Sequence, residues 1–276
     1  MSRERVTITI REDLLAQVDR LVDGLIIRSR SQAIENLLSK LLSEFRVGQA
    51  LILAGGKSKH APPSGGFAPQ ESRFLLQLQG KPLIEQALNA IHGFHVGNFF
   101  VYVDSFNRKI VDVLSAHKLP YHVDFLLDEA SKGTLAPLLK ARPRMKDTFL
   151  VAYGDTISSL NLNDMLAFHK QNKALATIAL TTVSNPKDYG VAMLQGGKVS
   201  EFIQKPEQEA KSYLINAGYF LFEPQIFDHL TSKMTSLEND LLPLLASKGL
   251  LYGYPFQGKY LNVNTPQDLE RAEMLL

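Results

Sequence analysis

Two different patterns of apolar positions divide this chain. Residues 5–10 alternate strictly between polar and apolar side chains, which predicts a short strand with one apolar and one polar face. The apolar face carries Val6, Ile8 and Ile10, and the polar face carries Arg5, Thr7 and Thr9. From residue 49 onward, apolar runs of strand length alternate with amphipathic helical segments. That second pattern predicts an α/β domain with a mainly parallel sheet and helices on both of its faces.

Two amphipathic segments follow the first strand. Leu14, Leu15, Val18, Leu21 and Val22 recur with helical spacing, and Gly24 suits the end of that helix. A second helix is predicted to begin near Ser29, where Ser29 and Gln32 suit a capping box.

The predicted strand at residues 5–10 has no neighbour in the pattern of the first 45 residues. A lone strand leaves its backbone donors and acceptors unpaired, so we expect a second copy of the chain to pair with it antiparallel. The sequence therefore predicts a homodimer, or a tetramer if the large domains also associate.

The segment RVTITIREDLLAQVDRL…SRSQAIENLL, within residues 3–45, resembles the ribbon-helix-helix family of transcription regulators. Within that family it is most similar to the DNA-binding domain of nickel-responsive regulators. The resemblance implies that Arg5, Thr7 and Thr9 contact base edges in the major groove. It also implies that backbone amides near Arg30 and Ser31 clamp a phosphate of the DNA. The alternative is a module that only dimerises or binds another protein.

Eight short motifs of the larger segment occur in the order typical of sugar-1-phosphate nucleotidyltransferases, and the segment resembles that family. They are LAGG at 53–56, GKPLI at 80–84, GT at 133–134, GD at 154–155, YGV at 189–191, KP at 205–206, NAG at 216–218 and NTPQDL at 264–269. The resemblance implies a Rossmann-like, glycosyltransferase-A-like fold. We therefore expect a ribbon-helix-helix domain at residues 1–46 and a nucleotidyltransferase-like domain at residues 47–276.

The resemblance also implies a reaction and its residues. A sugar-phosphate oxygen attacks the α-phosphate of a nucleoside triphosphate, and Mg²⁺ neutralises part of the charge. Catalytic roles are expected for Arg73, Asp155 and Lys205, nucleotide binding for Gly55, Gly56, Gly133 and Thr134, sugar binding for Gly190 and Asn216, and metal ligation for Asp155 and Asn262.

Four departures from the family pattern, the first of which spans three residues, lie at the triphosphate and metal end of this expected site. Ser58, Lys59 and His60 stand where the family has a loop arginine, and Arg73 stands in place of a lysine. Gln204 and Asn262 replace carboxylates, and Asn262 removes a full charge from the expected metal site. Lys57 and Lys59 offer compensating phosphate contacts, or are ordinary surface cations. The departures predict a pocket that still binds a ligand but has weakened catalysis.

Composition adds little to these motifs. The net charge of +2 does not by itself indicate nucleic-acid binding, so any DNA contact must come from a local arrangement of cations. Cysteine is absent, which excludes disulfides and thiolate metal sites and suits the cytoplasm. No apolar run reaches the length of a membrane span, so no membrane contact is expected.

Three functions remain open from the sequence. The first is a DNA-binding regulator whose large domain binds a nucleotide or nucleotide sugar. The second is an active, Mg²⁺-dependent sugar-1-phosphate nucleotidyltransferase that carries a DNA-binding or dimerising module. The third is a scaffold for assembly that binds neither DNA nor a nucleotide.

Overall fold

A computed structural model describes residues 5–44, 46–56, 72–129, 133–209 and 211–275. The chain divides into two compact units, Met1–Phe45 and Arg46–Leu276. None of the helices described is long and apolar enough to cross a membrane.

The first unit contains two helices, α1 (Glu12–Asp19) and α2 (Arg30–Glu44). Helix α1 ends before Leu21 and Val22, which were predicted to extend it, because the chain turns there through hydrogen bonds to Val18 and Asp19. The Asp23 carboxylate then accepts hydrogen bonds from the amides of residues 25, 26 and 27, at 2.9, 2.8 and 2.9 Å. This side chain holds the connection between the helices in a compact turn.

The predicted cap of α2 is confirmed. The Ser29 hydroxyl accepts a hydrogen bond from the Gln32 amide at 3.2 Å, and the Gln32 side chain accepts one from the Arg28 amide at 2.8 Å. The reciprocal bond thus reaches one residue further back than in a standard capping box.

The predicted strand at residues 5–10 is not formed in the single chain. A strand is defined by hydrogen bonds to a neighbour, and the described part of this chain places no partner strand beside the segment. Val6 and Ile8 are 73% and 57% exposed, so neither face of the segment is covered.

The second unit is built on a nine-stranded mixed sheet. Two further two-stranded sheets pair β2 with β3 and β7 with β13. In chain order the strands among the described residues are β1 (Gln49–Leu53), β2 (Gln77–Leu78), β3 (Lys81–Pro82), β4 (Asn98–Val103), β5 (Val123–Leu127), β6 (Phe149–Tyr153), β7 (Thr156–Ser158), β8 (Ala176–Thr182), β9 (Gly190–Gln195), β10 (Lys198–Gln204), β11 (Leu214–Phe222), β12 (Leu251–Pro255) and β13 (Tyr260–Asn262). The large sheet has the order β5-β4-β1-β6-β11-β8-β12-β10-β9. Strands β5, β4, β1 and β6 are parallel, whereas β11 runs antiparallel to both of its neighbours in that order.

Helices cover both faces of this sheet, as predicted. They are α3 (Leu83–His92), α4 (Lys109–Ala116), α5 (Leu135–Ala141), α6 (Leu162–Gln171) and α7 (Leu242–Ser247). Helix α8 (Pro266–Leu275) instead packs in a third, small core cluster with Leu78, Leu83 and Val263. One core cluster packs beneath α5 and α7, and a second packs beneath α3, α4 and α6. The run of residues 219–222, three of them aromatic, lies in β11 and is buried in the core.

A buried polar cluster fixes α6 to the sheet. His169, which is completely buried, contacts Thr177 through Nδ1 at 2.7 Å and Glu223 through Nε2 at 3.2 Å. Lys170 Nζ donates to the same Glu223 oxygen at 2.8 Å, and Thr148 donates to it at 2.7 Å. Burial raises the pKa of Glu223, but the bonds from His169, Lys170 and Thr148 outweigh it and lower the pKa to about 2.

We expect Glu223 to make the large domain acid-sensitive. Because its pKa is depressed on folding, its contribution is fully present above about pH 4.5 and is lost as the pH falls towards 2. In urea unfolding followed by circular dichroism, Glu223→Gln should lower the free energy of unfolding by roughly 2–3 kcal/mol near neutral pH, with the difference vanishing towards pH 2. Glu207→Gln, at an exposed carboxylate, is the control and should match the wild type. A difference that is constant with pH would contradict the assignment.

Candidate ligand-binding cleft

A cleft of about 270 Å³ lies beyond the C-terminal ends of β1 and β6. Ligands of open α/β sheets bind at this end of the strands. Eight of the ten large-domain residues singled out from the sequence line it. They are Gly55, Arg73, Thr134, Asp155, Gly190, Lys205, Asn216 and Asn262. Gly56 and Gly133 are not among its lining residues.

Arg73 and Asp155 form a buried ion pair in this cleft. Arg73 Nε lies 2.6 Å from Asp155 Oδ2, and the two side chains are only 15% and 7% exposed. Arg73 also donates to the Gly56 carbonyl at 3.4 Å, and its guanidinium lies 4.3 Å from the centre of the Phe74 ring. Three contacts therefore fix the guanidinium at the wall of the cleft.

Asn262 lies beside Asp155 because the short strand β13 pairs with β7. The Val263 amide donates to the Asp155 carbonyl at 2.9 Å, which brings the two segments together. The Asn262 amide group donates to Thr156 Oγ1 at 3.3 Å, and its Oδ1 accepts a hydrogen bond from the Asn264 side chain. The oxygen expected to bind a metal therefore accepts a hydrogen bond from within the chain.

Lys205 and Gly190 are brought together by the antiparallel pairing of β9 and β10. A Cβ at Gly190 would lie 2.4 Å from the Phe202 ring and 2.7 Å from Gln204 Oε1, so no larger residue fits there. The Lys205 amide donates to the Tyr189 carbonyl at 2.8 Å with a φ of 50°, which turns the chain at the cleft. Within the described residues, the Lys205 ammonium makes no ion pair, and Gln204 Oε1 is buried with no hydrogen-bond partner.

Asn216 sits at an irregularity of β11. The pairing with β8 shifts between Asn216 and Phe220, and Asn216 Oδ1 accepts a bond from the Gly218 amide at 2.8 Å. Gly218 has a φ of +78°, and a Cβ there would lie 2.6 Å from the Tyr153 ring. The NAG motif thus forms a bulge that presents a largely buried Asn216 to the cleft.

Glu238 was missed in the sequence and joins several walls of the cleft. Its carboxylate accepts hydrogen bonds from Thr134 at 2.6 Å and Ser236 at 2.9 Å, and also from the Tyr153 hydroxyl. Burial, followed by the charge of Glu238, raises the pKa of Tyr153 well above its usual value, which keeps its hydroxyl a donor. The Glu238 carboxylate is 104 positions from Thr134, so no local pattern predicts their contact.

Asp104 and Asn107 were also missed, and they anchor the end of β1. Asp104, 2% exposed, accepts hydrogen bonds from the Gly56 amide at 2.6 Å and from Asn107 Nδ2 at 2.8 Å. Asn107 in turn donates to the Gly56 carbonyl at 3.1 Å and accepts from the Ser72 hydroxyl at 2.7 Å. The amide of Gly56, a residue expected to bind the nucleotide, is therefore hydrogen-bonded to the Asp104 carboxylate.

Residues 57–71, which include Lys57 and the segment 58–60, lie outside the described residues.

Replacing Asp104 by alanine should destabilise the large domain by about 2–4 kcal/mol, because it leaves several buried donors unpaired. Thermal unfolding followed by circular dichroism would measure the change. Asp124→Ala, at an exposed carboxylate on β5, is the matched control and should be nearly neutral. Equal stability of the two variants would show that the Asp104 contacts contribute little.

The donor set near Asp155 does not fit the expected Mg²⁺ site. Mg²⁺ is usually held by one or two carboxylates together with substrate phosphates. Here one carboxylate is paired with Arg73, and the second position is a neutral amide whose oxygen is engaged by Asn264. Among the residues that the structure describes, no three His, Cys, Asp or Glu side chains cluster in a way that suits a metal.

The candidate DNA-binding residues of the first unit lie at its surface. Arg5, Thr7 and Thr9 are exposed. The backbone amides of Arg30 and Ser31 make no hydrogen bond within the described residues, so the start of α2 is open to an anion. The Arg30 side chain, however, is held by Asp19, at 2.5 and 2.7 Å.

Known protein families match the two units of this chain separately. The mannose-1-phosphate guanylyltransferase catalytic subunit beta of Danio rerio is 29% identical over 227 residues, which are 80% of this chain and 62% of that protein. The corresponding subunit of Dictyostelium discoideum is 29% identical over 226 residues, with the same coverage. The chain therefore spans about 62% of the length of these relatives.

The solved structure of HddC from Yersinia pseudotuberculosis has the same fold, with a TM-score of 0.71 at 19% identity over 83% of this chain and 99% of that one. Residues 4–44 match the model of the ribbon-helix-helix protein, copG family, so the chain carries a ribbon-helix-helix domain there. Residues 49–276 match the model described as nucleotidyl transferase, and the chain belongs to the nucleotidyl transferase family.

Proposed function

We propose that this protein is a DNA-binding regulator whose nucleotidyltransferase-like domain binds a nucleotide sugar as its signal. The N-terminal domain would supply the DNA contact through paired strands of two copies, with Arg5, Thr7 and Thr9 towards the bases. The mannose-1-phosphate guanylyltransferases among its relatives make GDP-mannose the first ligand to test.

One observation carries this proposal: the metal end of the cleft is occupied by the protein itself. Arg73 is bonded to Asp155, and Asn264 is bonded to Asn262. The residues for the sugar end, Gly190 and Asn216, are meanwhile held in place by tight packing and a β-bulge. Such a cleft suits recognition of a finished nucleotide sugar better than the transfer that makes one.

In this proposal, Asn216 and the Gly190 turn hold sugar hydroxyls, and Lys205 meets the phosphate next to the sugar. Thr134 and Gly55 lie along the nucleotide. Gly56 and Gly133 act indirectly, because they shape the loops that carry Gly55 and Thr134.

The alternative is an active sugar-1-phosphate nucleotidyltransferase, favoured by the convergence of Arg73, Asp155 and Lys205 on one cleft. In that reaction, a phosphate oxygen of the sugar 1-phosphate attacks the α-phosphate of the triphosphate, and pyrophosphate leaves. Arg73 and Lys205 would neutralise and position the phosphates. Mg²⁺, if it acts, would need Arg73 and Asn264 to leave their present partners.

Pyrophosphate release distinguishes the two functions. The full-length protein is mixed with GTP and mannose 1-phosphate, and with a panel of other triphosphates and sugar 1-phosphates, in the presence of Mg²⁺. The regulator hypothesis expects no release above background together with measurable binding of a nucleotide sugar by calorimetry. Sustained turnover of any pair would establish the enzyme instead.

A further inference from the structure

We infer that the cleft binds the diphosphate of a nucleotide sugar without a divalent cation, with the free N–H groups of Arg73 and the ammonium of Lys205 as the donors to its phosphates. This inference rests on the proposed ligand and adds a statement about which groups of the chain hold its phosphates. It follows from the disagreement between the residues present and the metal site that the family implies.

Asp155, the carboxylate expected to bind the metal, is already paired with a cation. Its Oδ2 is 2.6 Å from Arg73 Nε, within a pair that is almost fully buried. A Mg²⁺ ion bound to this carboxylate at about 2 Å would stand roughly 4 Å from the guanidinium. Two positive groups at that distance in a partly buried site repel each other strongly.

Asn262, the second residue expected to bind the metal, is a poor ligand for it. Asn262 carries no charge, and its Oδ1 and Nδ2 are both used, towards Asn264 and Thr156. A cation bound there would share the Asn262 oxygen with the Asn264 amide and would gain no carboxylate. Asp188 and Glu238 also line the cleft, but they do not gather with Asp155 into a cluster of three, and Glu238 is engaged by three hydroxyls.

A phosphate in the cleft would meet two cationic side chains, Arg73 and Lys205. Arg73 lines the cleft, and its guanidinium is held over the Phe74 ring and by the Gly56 carbonyl, so it need not be ordered on binding. Asp155 contacts Nε, and a guanidinium has further N–H groups that can donate to phosphate oxygens. Lys205 lines the same cleft as a second cation with no ion-pair partner among the residues described.

Calorimetric titration of the full-length protein with GDP-mannose, in Mg²⁺ and in EDTA, tests this inference. We expect dissociation constants that agree within about twofold in the two buffers. Arg73→Gln should weaken binding by about 10- to 100-fold in both, with Arg73→Lys in between because it keeps the charge but not the planar group. Arg108→Gln, at an exposed arginine paired with exposed Glu129, is the control and should bind as the wild type does.

Binding of a divalent cation by the protein alone is a second measurement. It does not require the Arg73 variants to fold. Electron paramagnetic resonance of Mn²⁺ should show no bound ion with the wild type. The double variant Asn262→Asp/Asn264→Gly should bind Mn²⁺ more strongly than the wild type does, because it adds a carboxylate beside Asp155 and removes the side chain hydrogen-bonded to position 262, while the Arg73 guanidinium still opposes the ion.

The outcomes separate the inference from the function on which it rests. GDP-mannose binding that requires Mg²⁺, or one Mn²⁺ bound per wild-type chain, overturns the inference and leaves the proposed ligand standing. If neither GDP-mannose nor any nucleotide sugar of a wider panel binds in either buffer, the proposed function itself is lost.

Discussion

Replacing Ile8 by lysine is expected to halve the mass of the assembly in solution and to lower DNA affinity by at least about 100-fold. Ile8 is 57% exposed in the single chain, and the segment around it has no partner strand among the described residues. In the dimer that the ribbon-helix-helix family implies, this side chain lies on the covered face of the paired strands. A lysine there would bury an unpaired charge in each copy.

Sedimentation velocity of the full-length protein measures the mass, and fluorescence anisotropy measures DNA binding. Thr7→Ala is the matched control, because Thr7 is the neighbouring residue on the opposite face of the predicted strand. It should remain dimeric while losing base contacts. A dimeric Ile8→Lys variant with unchanged DNA affinity would refute the pairing of the two strands.

Replacing Gly133 by alanine should destabilise the large domain by about 3–5 kcal/mol and eliminate ligand binding. Gly133 has a φ of +85°, and a Cβ would lie 2.2 Å from the backbone oxygen of Thr235. That oxygen also accepts the Leu135 amide at 3.0 Å, so it cannot move aside freely. The clash would separate Thr134 from Glu238 and open one wall of the cleft.

Gly196 offers a control for this substitution. It also has a positive φ, +58°, but a Cβ there meets nothing within 4 Å. Gly196→Ala should therefore cost only about 1 kcal/mol, the strain of the left-handed backbone alone. Urea unfolding followed by circular dichroism compares the two. If both variants lose the same stability, the close approach of Thr235 is not what requires Gly133.

The order of the motifs was enough to predict the α/β fold and most of the cleft. LAGG, GD, KP and NAG each stand at the end of a strand or at a β-irregularity, and residues of all four line the cleft. Local patterns carry that information, because turns and strand ends have strong residue preferences. The contacts that define the charge state of the cleft do not follow from such patterns.

Those contacts depend on side chains far apart in the sequence. Arg73 reaches Asp155 across 82 positions, and Asp104 reaches Gly56 across 48. Asn264 is only two positions from Asn262, but the sequence does not show that the two side chains are hydrogen-bonded to each other. The strand predicted at residues 5–10 is absent for the opposite reason. Its local pattern is that of a strand, but a strand also needs a neighbouring strand to pair with, and a single chain does not supply one there among the described residues.

The central claim is that a nucleotide sugar bound to the large domain changes how the protein holds DNA. It is tested most directly by selecting DNA from a random pool with the full-length protein and measuring its affinity by anisotropy, with and without saturating GDP-mannose. A regulator requires the ligand to distinguish two states of the protein, so the dissociation constant for DNA should change by at least about fivefold. A constant that does not change while calorimetry shows the ligand bound, or a pool from which no sequence is enriched, would contradict the claim.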